Sequence, residues 1–352
     1  MFPIIPANSA TAASGNDEGI FGYGSPSSGV QTAVTNLVSN TGVVATDVAG
    51  VGTARSGIGA CEYGGDKGIF GFGNDGSYAS MTNLVSNTGV VASDQAATTG
   101  TDRAYLAACE YGGDKGIFGY GYLDAFTAVS NLVSNTGVVA SDQAAVGTSR
   151  YGPMACSYGE DKGIFGFGQN GGGSWAMTNL VSNTGVVASD TAAVAGVQVR
   201  SVGAATEFGG DKGIFGFGHT GSSVTAITNL VSNAGVVATD TAAVGTARSG
   251  VAACSYGGDK GIFGYGGSST TTNLVSNTGV VASDGAGAGT ARSVLAACEY
   301  GGDKGIFGFG DPGSPPWTNN NTNLVSNTGV VASDQAAATG SGRYNPAACS
   351  FN

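Results

Sequence analysis

The sequence predicts an all-β protein, a seven-bladed β-propeller built from four-stranded antiparallel blades. One motif, Gly-Ile-Phe-Gly-aromatic-Gly, occurs seven times, and an aspartate precedes each copy, at positions 17, 66, 114, 161, 211, 259 and 303. A second motif, Asn-Leu-Val-Ser-Asn, begins at 36, 83, 131, 179, 229, 273 and 323. No window shows a sustained apolar period of 3.6 residues, so helix is not expected. Seven such units fit a closed ring of blades.

Each repeat of about 48 residues reads as four short strands, because Val, Ile, Phe and Tyr favour strands and Gly and Asn interrupt them. In the second repeat these are Gly59–Tyr63, Gly68–Phe72, Thr82–Val85 and Val90–Ser93. Small residues dominate the first strand, which suits the innermost strand of a propeller. An open β-solenoid is the alternative, but solenoid coils are usually ~20–30 residues long.

The two ends of the chain predict how the ring closes. The C-terminal residues match the first strand of a repeat, whereas the first repeat lacks a good copy of that strand; the matching residues are Ala347, Ala348, Cys349 and Phe351. We therefore expect the C-terminal strand to complete blade 1, which removes an open sheet edge. The same strand can instead complete blade 1 of a neighbouring copy. The propeller then spans residues 15–352.

Residues 1–14 form a separate apolar arm in this interpretation. The arm opens Met-Phe-Pro-Ile-Ile-Pro, so Phe2, Ile4 and Ile5 are the predicted anchors. It is too short to span a membrane, and it lacks the basic start and long apolar run of a signal peptide. Two alternatives stay open, an arm that lies on its own propeller and an arm that docks on a neighbouring subunit.

The charge pattern follows the repeat. The chain has a net charge of −11 and 13 Lys and Arg residues, all at repeat positions, which argues against nucleic-acid binding. An aspartate ends each fourth strand, eight to ten residues before the repeat arginine. We expect a structural ring of Asp–Arg or Asp–Lys pairs that joins blade to blade, represented by Asp94, Asp142, Arg55, Arg103, Lys67 and Lys115. A functional ring of charge at the channel mouth is the alternative.

The residues that carry most enzyme chemistry are scarce. Six cysteines occupy one repeat position, which predicts buried thiols because equivalent positions do not face each other as a disulfide requires. His219 is the single histidine and lies in a variable loop. Neither a zinc pattern nor a phosphate loop nor a dense Asp-x-Asp calcium loop occurs. We expect a protein without metal or cofactor that is not an enzyme.

Variation between repeats is concentrated in the loop between the second and third strands and in the crossover before each arginine. The first set of loops carries aromatic residues and the histidine, and loops on a rigid scaffold often carry function. The candidate binding residues are Tyr78, Tyr122, Phe126, Trp175, His219 and Trp317. Such rings can stack on sugars or anchor a protein. The alternative is that these aromatics pack on blade edges without a ligand.

The stretch from Arg55 through Gly73 resembles the first half of a kelch repeat, in which an arginine leads a small-residue strand and a hydrophobic strand ends at glycines. The resemblance covers all seven repeats, roughly residues 15–352. The phrase Asn-Leu-Val-Ser-Asn-Thr-Gly-Val-Val-Ala is also similar to repeat proteins of tailed phages and environmental viral sequences. The Trp expected in the fourth kelch strand is replaced by Val90 and Val91.

These features predict a structural or interaction protein, a subunit of a virion surface, a fibre or an extracellular filament that assembles through its arm. The expected partners are further copies of the chain or another structural protein, with no insertion into a membrane. A carbohydrate-binding, lectin-like propeller that uses the variable loops is the alternative function.

Overall fold

The computed structural model describes residues 17–95, 100–191, 197–335 and 340–351, and these residues form an all-β, propeller-like fold without helix. The strands of the first half are β1 (Glu18–Gly22), β2 (Thr35–Val38), β3 (Gly59–Tyr63), β4 (Lys67–Asn74), β5 (Tyr78–Val85), β6 (Ala107–Tyr111), β7 (Lys115–Leu123), β8 (Ala125–Val133), β9 (Met154–Tyr158), β10 (Lys162–Gly166), β11 (Gln169–Asn170), β12 (Gly173–Ser174) and β13 (Thr178–Val181). Those of the second half are β14 (Ala204–Phe208), β15 (Lys212–His219), β16 (Val224–Val231), β17 (Ala252–Tyr256), β18 (Lys260–Gly264), β19 (Thr272–Val275), β20 (Ala296–Tyr300), β21 (Lys304–Gly308), β22 (Thr322–Val325) and β23 (Ala347–Phe351).

The described strands form seven three-stranded antiparallel sheets, and one short extra hairpin pairs β11 with β12. In each sheet the glycine-flanked Ile-Phe strand lies in the middle, between the small-residue strand and the Asn-Leu-Val strand. We number the sheets along the chain: sheet 1 is β23-β1-β2, sheet 2 is β3-β4-β5, sheet 3 is β6-β7-β8, sheet 4 is β9-β10-β13, sheet 5 is β14-β15-β16, sheet 6 is β17-β18-β19 and sheet 7 is β20-β21-β22.

The C-terminal strand completes sheet 1, as predicted. β23 pairs with β1 in antiparallel register, with Cys349 opposite Ile20 and Ala348 opposite Phe21. Ala347 pairs with Gly22 in the same ladder. A strand from the end of the chain thus supplies the small-residue strand that the first repeat lacks.

The hydrophobic core lies between successive sheets. Seven clusters of buried side chains each combine residues of two neighbouring sheets. One of them joins sheet 7 to sheet 1 and contains Phe21 together with Ile306 and Tyr300. Both faces of each middle strand are therefore removed from water, which explains why Ile and Phe stand next to each other in these strands instead of alternating with polar residues.

Glycine allows the sheets to approach each other. A Cβ atom added to Gly116 on β7 would lie 2.6 Å from the Sγ atom of Cys61 on the neighbouring sheet 2. A Cβ atom added to Gly119 would lie 2.7 Å from the ring of Phe165 in sheet 4. The small side chain of Cys61 and the missing side chain of Gly116 thus fit together, and the same pairing recurs around the fold.

The six cysteines are buried free thiols, as predicted. Burial raises the pKa of the Cys109 thiol to about 12, so this sulfur is protonated at neutral pH. The thiol therefore packs as a small apolar side chain and is a poor nucleophile.

The aromatic residue that follows each Ile-Phe-Gly has a left-handed backbone. Phe72 has a φ of 62°, and the other copies lie between 58° and 64°: Tyr23, Tyr120, Phe167, Phe217, Tyr265 and Phe309. In sheet 2 the register of β4 against β5 shifts at this point, between Gly71 and Gly73. Positive φ is unfavourable for a bulky side chain, so a strong packing interaction must hold the ring in place.

The repeat arginine supplies that interaction across two sheets. The guanidinium carbon of Arg103, in sheet 3, lies 4.0 Å from the ring centroid of Phe72 in sheet 2. The other six arginines lie over the corresponding aromatic ring of the preceding sheet at 3.7–4.9 Å: Arg55, Arg150, Arg200, Arg248, Arg292 and Arg343. Arg343 stacks on Phe309, so the contact also joins sheet 7 to sheet 1. We call this contact the arginine clamp.

Hydrogen bonds within its own sheet hold each arginine in the clamp. Arg103 donates from Nη2 to Oδ1 of Asn131 at 2.7 Å and from Nε to the carbonyl of Tyr120 at 2.8 Å. The side chain of Arg103 is fully buried. Burial lowers the pKa of Arg103 to about 10, so the guanidinium remains charged at neutral pH.

The predicted Asp–Arg pairs are present, but they lie within one sheet. Asp94 is 3.3 Å from Arg55, and Asp142 is 3.9 Å from Arg103. Although burial opposes ionisation, hydrogen bonds from Thr53 and other donors hold the pKa of Asp94 below its ordinary value. The aspartate therefore supports the clamp, while the stacked aromatic ring makes the contact between sheets.

The lysines do not take part in these pairs. Lys67 binds Asp66, and Lys115 binds Asp114 at 2.6 Å, in each case the preceding residue. Each lysine opens its middle strand beside the Gly-Gly turn, whereas the strand-end aspartates lie beside the arginines at the other end of the sheet. The prediction that Lys67 and Lys115 join the inter-blade charge ring was therefore wrong.

The predicted fourth strand is not a continuous strand. In sheet 2 the segment 90–95 meets β5 at two isolated bridges, Val85 with Val91 and Thr82 with Gln95, and between them the amide of Ala92 donates to the carbonyl of Leu84 at 2.8 Å. Between the two bridges β5 spans three residues and the partner segment spans four, so the register slips by one residue.

A side chain causes this slip. The amide Nδ2 of Asn83 donates to the carbonyl of Ala92 at 3.1 Å and to Oδ1 of Asp94 at 2.9 Å. Asn83 thus occupies the place where a regular ladder would continue. The corresponding asparagines of the other repeats make the same pair of bonds: Asn36, Asn131, Asn179, Asn229, Asn273 and Asn323.

Among the described residues, no helix is long and apolar enough to cross a membrane. The predicted arm residues Phe2, Ile4 and Ile5 lie outside the described residues.

Candidate functional site

Five aromatic side chains from sheets 2, 3 and 4 converge on one surface of the molecule. Tyr78, Tyr105, Tyr122, Phe126 and Tyr151 line a cleft of about 440 Å³. We call these five residues the aromatic cluster. All five rings are partly exposed, and Tyr105 is the most exposed at 43%. The cluster thus presents aromatic surface to solvent on a fold that buries almost all its other rings.

Hairpin ends and crossovers position these rings. Tyr78 opens β5, and Tyr122 pairs with Phe126 where β7 turns into β8. Tyr105 and Tyr151 follow the repeat arginines of sheets 3 and 4, so the arginine clamps fix the backbone just before them. The backbone amide of Tyr105 also donates to the carbonyl of Gly57 in sheet 2 at 2.8 Å.

The rings meet mainly edge to face. The ring centroids of Tyr78 and Tyr122 lie 5.8 Å apart at 69°, those of Tyr122 and Tyr151 lie 6.1 Å apart at 61°, and those of Tyr105 and Tyr151 lie 6.2 Å apart at 64°. Phe126 stacks on Tyr151 at 5.7 Å and 13°. Four tyrosines therefore form successive walls at steep angles to one another, and Phe126 packs against two of them.

The electrostatic surroundings of the cluster are acidic. Asp124 is exposed at the turn between β7 and β8. The pKa of Tyr78 is raised, first by burial and then by neighbouring negative potential that includes Asp124. The chain has 13 basic side chains: seven arginines in the buried clamps and six lysines that each pair with the preceding aspartate. Lysine and arginine are therefore missing from the lining of the cleft.

Three of the six residues predicted from the loops belong to the cluster, namely Tyr78, Tyr122 and Phe126. Within the described part of the chain, Trp175, His219 and Trp317 do not line the cleft. Trp175, in the loop of sheet 4, forms a backbone bridge with Arg200, the repeat arginine of sheet 5. Trp317 is 55% exposed in the loop of sheet 7.

His219 ends β15, and its Nδ1 atom accepts a hydrogen bond from the amide of Gly221 at 3.0 Å. This bond closes the tight loop after β15. The histidine thus has a local structural partner and does not extend the aromatic surface.

Tyr105 and Tyr151 are the cluster residues that sequence reasoning missed. They lie just after the repeat arginines Arg103 and Arg150, at positions that vary between repeats: Ser-Gly follows Arg55, whereas Tyr344 follows Arg343. Aromatic residues at these variable positions were the available signal. It was missed because variation was sought only before the arginine.

A second cavity runs along the seven small-residue strands. It has a volume of about 310 Å³ and is lined by one alanine, one cysteine or threonine, and one glutamate or serine from each strand. Four glutamates face it: Glu62, Glu110, Glu207 and Glu299. Desolvation, strengthened by mutual repulsion, raises the pKa of Glu62 to about 8 and that of Glu110 and Glu299 to about 7.

These raised pKa values predict that the protein loses stability as the pH rises. A carboxyl whose pKa is higher in the folded state binds more protons there, so its contribution is fully present below the unfolded pKa of ~4.3 and is lost as the pH passes through 7 to 8. We expect the melting temperature to fall between pH 5 and pH 9. In the triple variant Glu62→Gln, Glu110→Gln and Glu299→Gln, this fall should be much smaller. An equal fall in the variant would show that the cavity glutamates do not cause it.

Among the described residues, no group of three or more His, Cys, Asp or Glu side chains has a geometry that could hold a metal ion. The cavity glutamates are distributed over the small-residue strands and alternate with serines on part of them.

Comparison with known proteins bears on the fold alone. No family model matches the chain, and no curated protein sequence matches it. Among solved structures, one titled "Structure of YjhT" is similar over 77% of this chain and 95% of its own, with 12% sequence identity and a TM-score of 0.57. At this identity the likeness supports the propeller-like fold and carries no activity across. The kelch-like and phage-repeat resemblances stay predictions.

Proposed function

We propose that this chain is a closed seven-bladed propeller that acts without catalysis, as an interaction protein whose ligand binds at the aromatic cluster. The ring closure is supported by the neighbours of the small-residue strands, which follow the order β3, β6, β9, β14, β17, β20 and β23, with β23 again beside β3. Core packing and the arginine clamp between sheets 7 and 1 give the same support.

The observation that supports this binding site is that the aromatic cluster is not repeated around the fold. Most polar and aromatic side chains recur in equivalent roles around the fold, as in the arginine clamps and the Asn–Asp bonds. The aromatic cluster uses only sheets 2, 3 and 4 and places five partly exposed rings around one cleft. A repeat protein that needs rings only for packing has no reason to concentrate exposed ones on one side, since exposed apolar patches commonly mark binding surfaces.

The proposal of a non-enzymatic role is supported by the state of the reactive groups. The thiols are buried, and burial holds their pKa well above the ordinary value. The single histidine is engaged in a loop hydrogen bond. Neither group is available as a nucleophile or a general base beside the cleft.

A neutral carbohydrate is a second candidate for the ligand, because Tyr and Phe rings exposed on loops can stack on sugar rings. The role as a subunit of a virion surface, fibre or extracellular filament also stays a proposal. It depends on the arm, which lies outside the described residues.

Ligand-observed NMR tests the proposed site. A panel of neutral sugars and choline-type ammonium compounds would be screened against the full chain and against the double variant Tyr122→Ala, Tyr151→Ala. Trp317→Ala is the matched control, since it removes an exposed ring from another loop. We expect at least one class of compound to bind the full chain and the control and to lose binding in the double variant. Binding that survives in the double variant, or no binding by any class, would contradict the site.

A further inference from the structure

The shape of the aromatic cluster points to a particular kind of ligand, and this inference rests on the proposed function. Tyr78, Tyr122, Tyr151 and Tyr105 follow one another at centroid distances of 5.8–6.2 Å, with planes inclined by 61–69°. Each ring therefore turns a different face or edge toward the cleft between them. The face of an aromatic ring carries negative potential and its edge carries positive potential, so a cation is attracted to the ring faces that border the cleft.

We propose that the aromatic cluster is a cage for a quaternary ammonium group of the choline type, held by the rings of Tyr78, Tyr105, Tyr122 and Tyr151. The cleft that these rings line has a volume of about 440 Å³, which is large enough to hold such a group.

The charged side chains of the molecule favour a positively charged ligand at the cluster. Asp124 adds a negative charge near the cluster, and its potential reaches Tyr78. All seven arginines are buried in clamps, and each of the six lysines is paired with the aspartate that precedes it in the chain. An anionic ligand would thus find no basic side chain in the cleft, whereas a cation meets attraction from the rings and from Asp124.

The lining of the cleft distinguishes a quaternary from a primary ammonium group. A primary ammonium has three N–H donors, and it loses the hydration of those donors unless acceptors replace the water. The cleft is lined by five aromatic side chains whose polar atoms are the four tyrosine hydroxyls, without a carboxylate or an amide to replace the full hydration of three N–H donors. A trimethylammonium group has no N–H to satisfy, so it can enter an aromatic lining without that penalty.

Titration with charged and uncharged isosteres tests the cage. Choline and 3,3-dimethyl-1-butanol, which replaces the nitrogen of choline by carbon, would be titrated against the full chain by calorimetry or NMR. We expect choline to bind and the uncharged isostere to bind about tenfold more weakly. Glycine betaine, whose carboxylate would lie near Asp124, should bind more weakly than choline. Equal affinity for choline and its isostere would overturn the cage and leave only an apolar patch.

Variants of the rings separate the cation contact from simple burial. Tyr122→Leu keeps an apolar side chain but removes the ring face, so choline binding should fall while binding of the uncharged isostere stays. Trp317→Leu should change neither. A melting temperature close to that of the unchanged chain would show that each variant is folded. If Tyr122→Leu does not fold, Tyr151→Leu takes its place.

The outcomes also separate this inference from the proposed function. Neutral sugars that bind at the cluster in place of choline would overturn the ammonium cage and leave the interaction site standing. If no compound binds and the cluster variants behave like the full chain, both proposals fail.

Discussion

Replacing Arg103 with alanine is expected to lower the free energy of unfolding by about 3–5 kcal/mol, the range for breaking a buried charged pair. The side chain is fully buried, and its guanidinium carbon lies 4.0 Å from the ring centroid of Phe72 on the neighbouring sheet. Its removal leaves the carbonyl of Tyr120 and the amide oxygen of Asn131 without their donor. It also leaves Phe72, whose backbone is left-handed, without the group that packs over it.

Chemical unfolding of Arg103→Ala beside Lys115→Ala measures this effect. Lys115 is a repeat cation of the same sheet, but it is 37% exposed and pairs with the adjacent Asp114 at the surface. Exposed pairs contribute about 0–1 kcal/mol, so the lysine variant should be nearly as stable as the unchanged chain. Arg103→Lys should fall close to the alanine variant, because lysine lacks the planar fork that reaches the two acceptors. Similar stabilities for Arg103→Ala and Lys115→Ala would contradict the clamp.

Gly116→Ala is expected to destabilise the protein by about 1–3 kcal/mol, the usual cost of overpacking. The new methyl group would lie 2.6 Å from the Sγ atom of Cys61, closer than such atoms pack, and 3.1 Å from the backbone carbonyl oxygen of Glu62, which is a tight contact. The two sheets would have to separate at their closest contact.

A compensating variant makes this prediction specific. Cys61→Ala removes the sulfur that the new methyl group meets, so the double variant should be more stable than the sum of the two single effects predicts. Gly171→Ala is the control, because its Cβ atom would meet only an ordinary contact of 3.6 Å. Strict additivity of Gly116→Ala and Cys61→Ala in denaturant melts would show that the glycine is not required for this contact.

The repeat made the sheets predictable. Seven copies of each motif located the middle strands, the Asn-Leu-Val strands and the small-residue strands, and the C-terminal Ala347–Phe351 was correctly matched to the sheet of the first repeat. Strand propensity can be read from a sequence because it depends on residues that are neighbours in the chain. A small residue at the same position of every repeat likewise indicates a crowded contact.

Features that depend on side chains from different sheets were harder to predict. Asp94 was expected to join one blade to the next, but its sheet-to-sheet role belongs to Arg55 stacked on Tyr23. The fourth strand was predicted from Val90 and Val91, yet the side chain of Asn83 interrupts its ladder.

The binding site was likewise only partly predictable from the sequence. Tyr78, Tyr122 and Phe126 stood out because their loops vary between repeats. Tyr105 and Tyr151 enter the site only because adjacent sheets bring two crossovers to the same surface. Trp175 and Trp317 have the same chemistry, but the fold places them elsewhere.

Hydrogen exchange at the C-terminal strand tests the closed ring most directly. If β23 completes the ring, the alternate amides of Ala347–Phe351 that point to β1 are hydrogen-bonded within sheet 1 and should exchange as slowly as the corresponding amides of Ala107–Tyr111, the equivalent strand of sheet 3. Fast exchange at Ala347–Phe351, with slow exchange at Ala107–Tyr111, would show an open ring with a frayed end and would contradict the seven-bladed propeller proposed here.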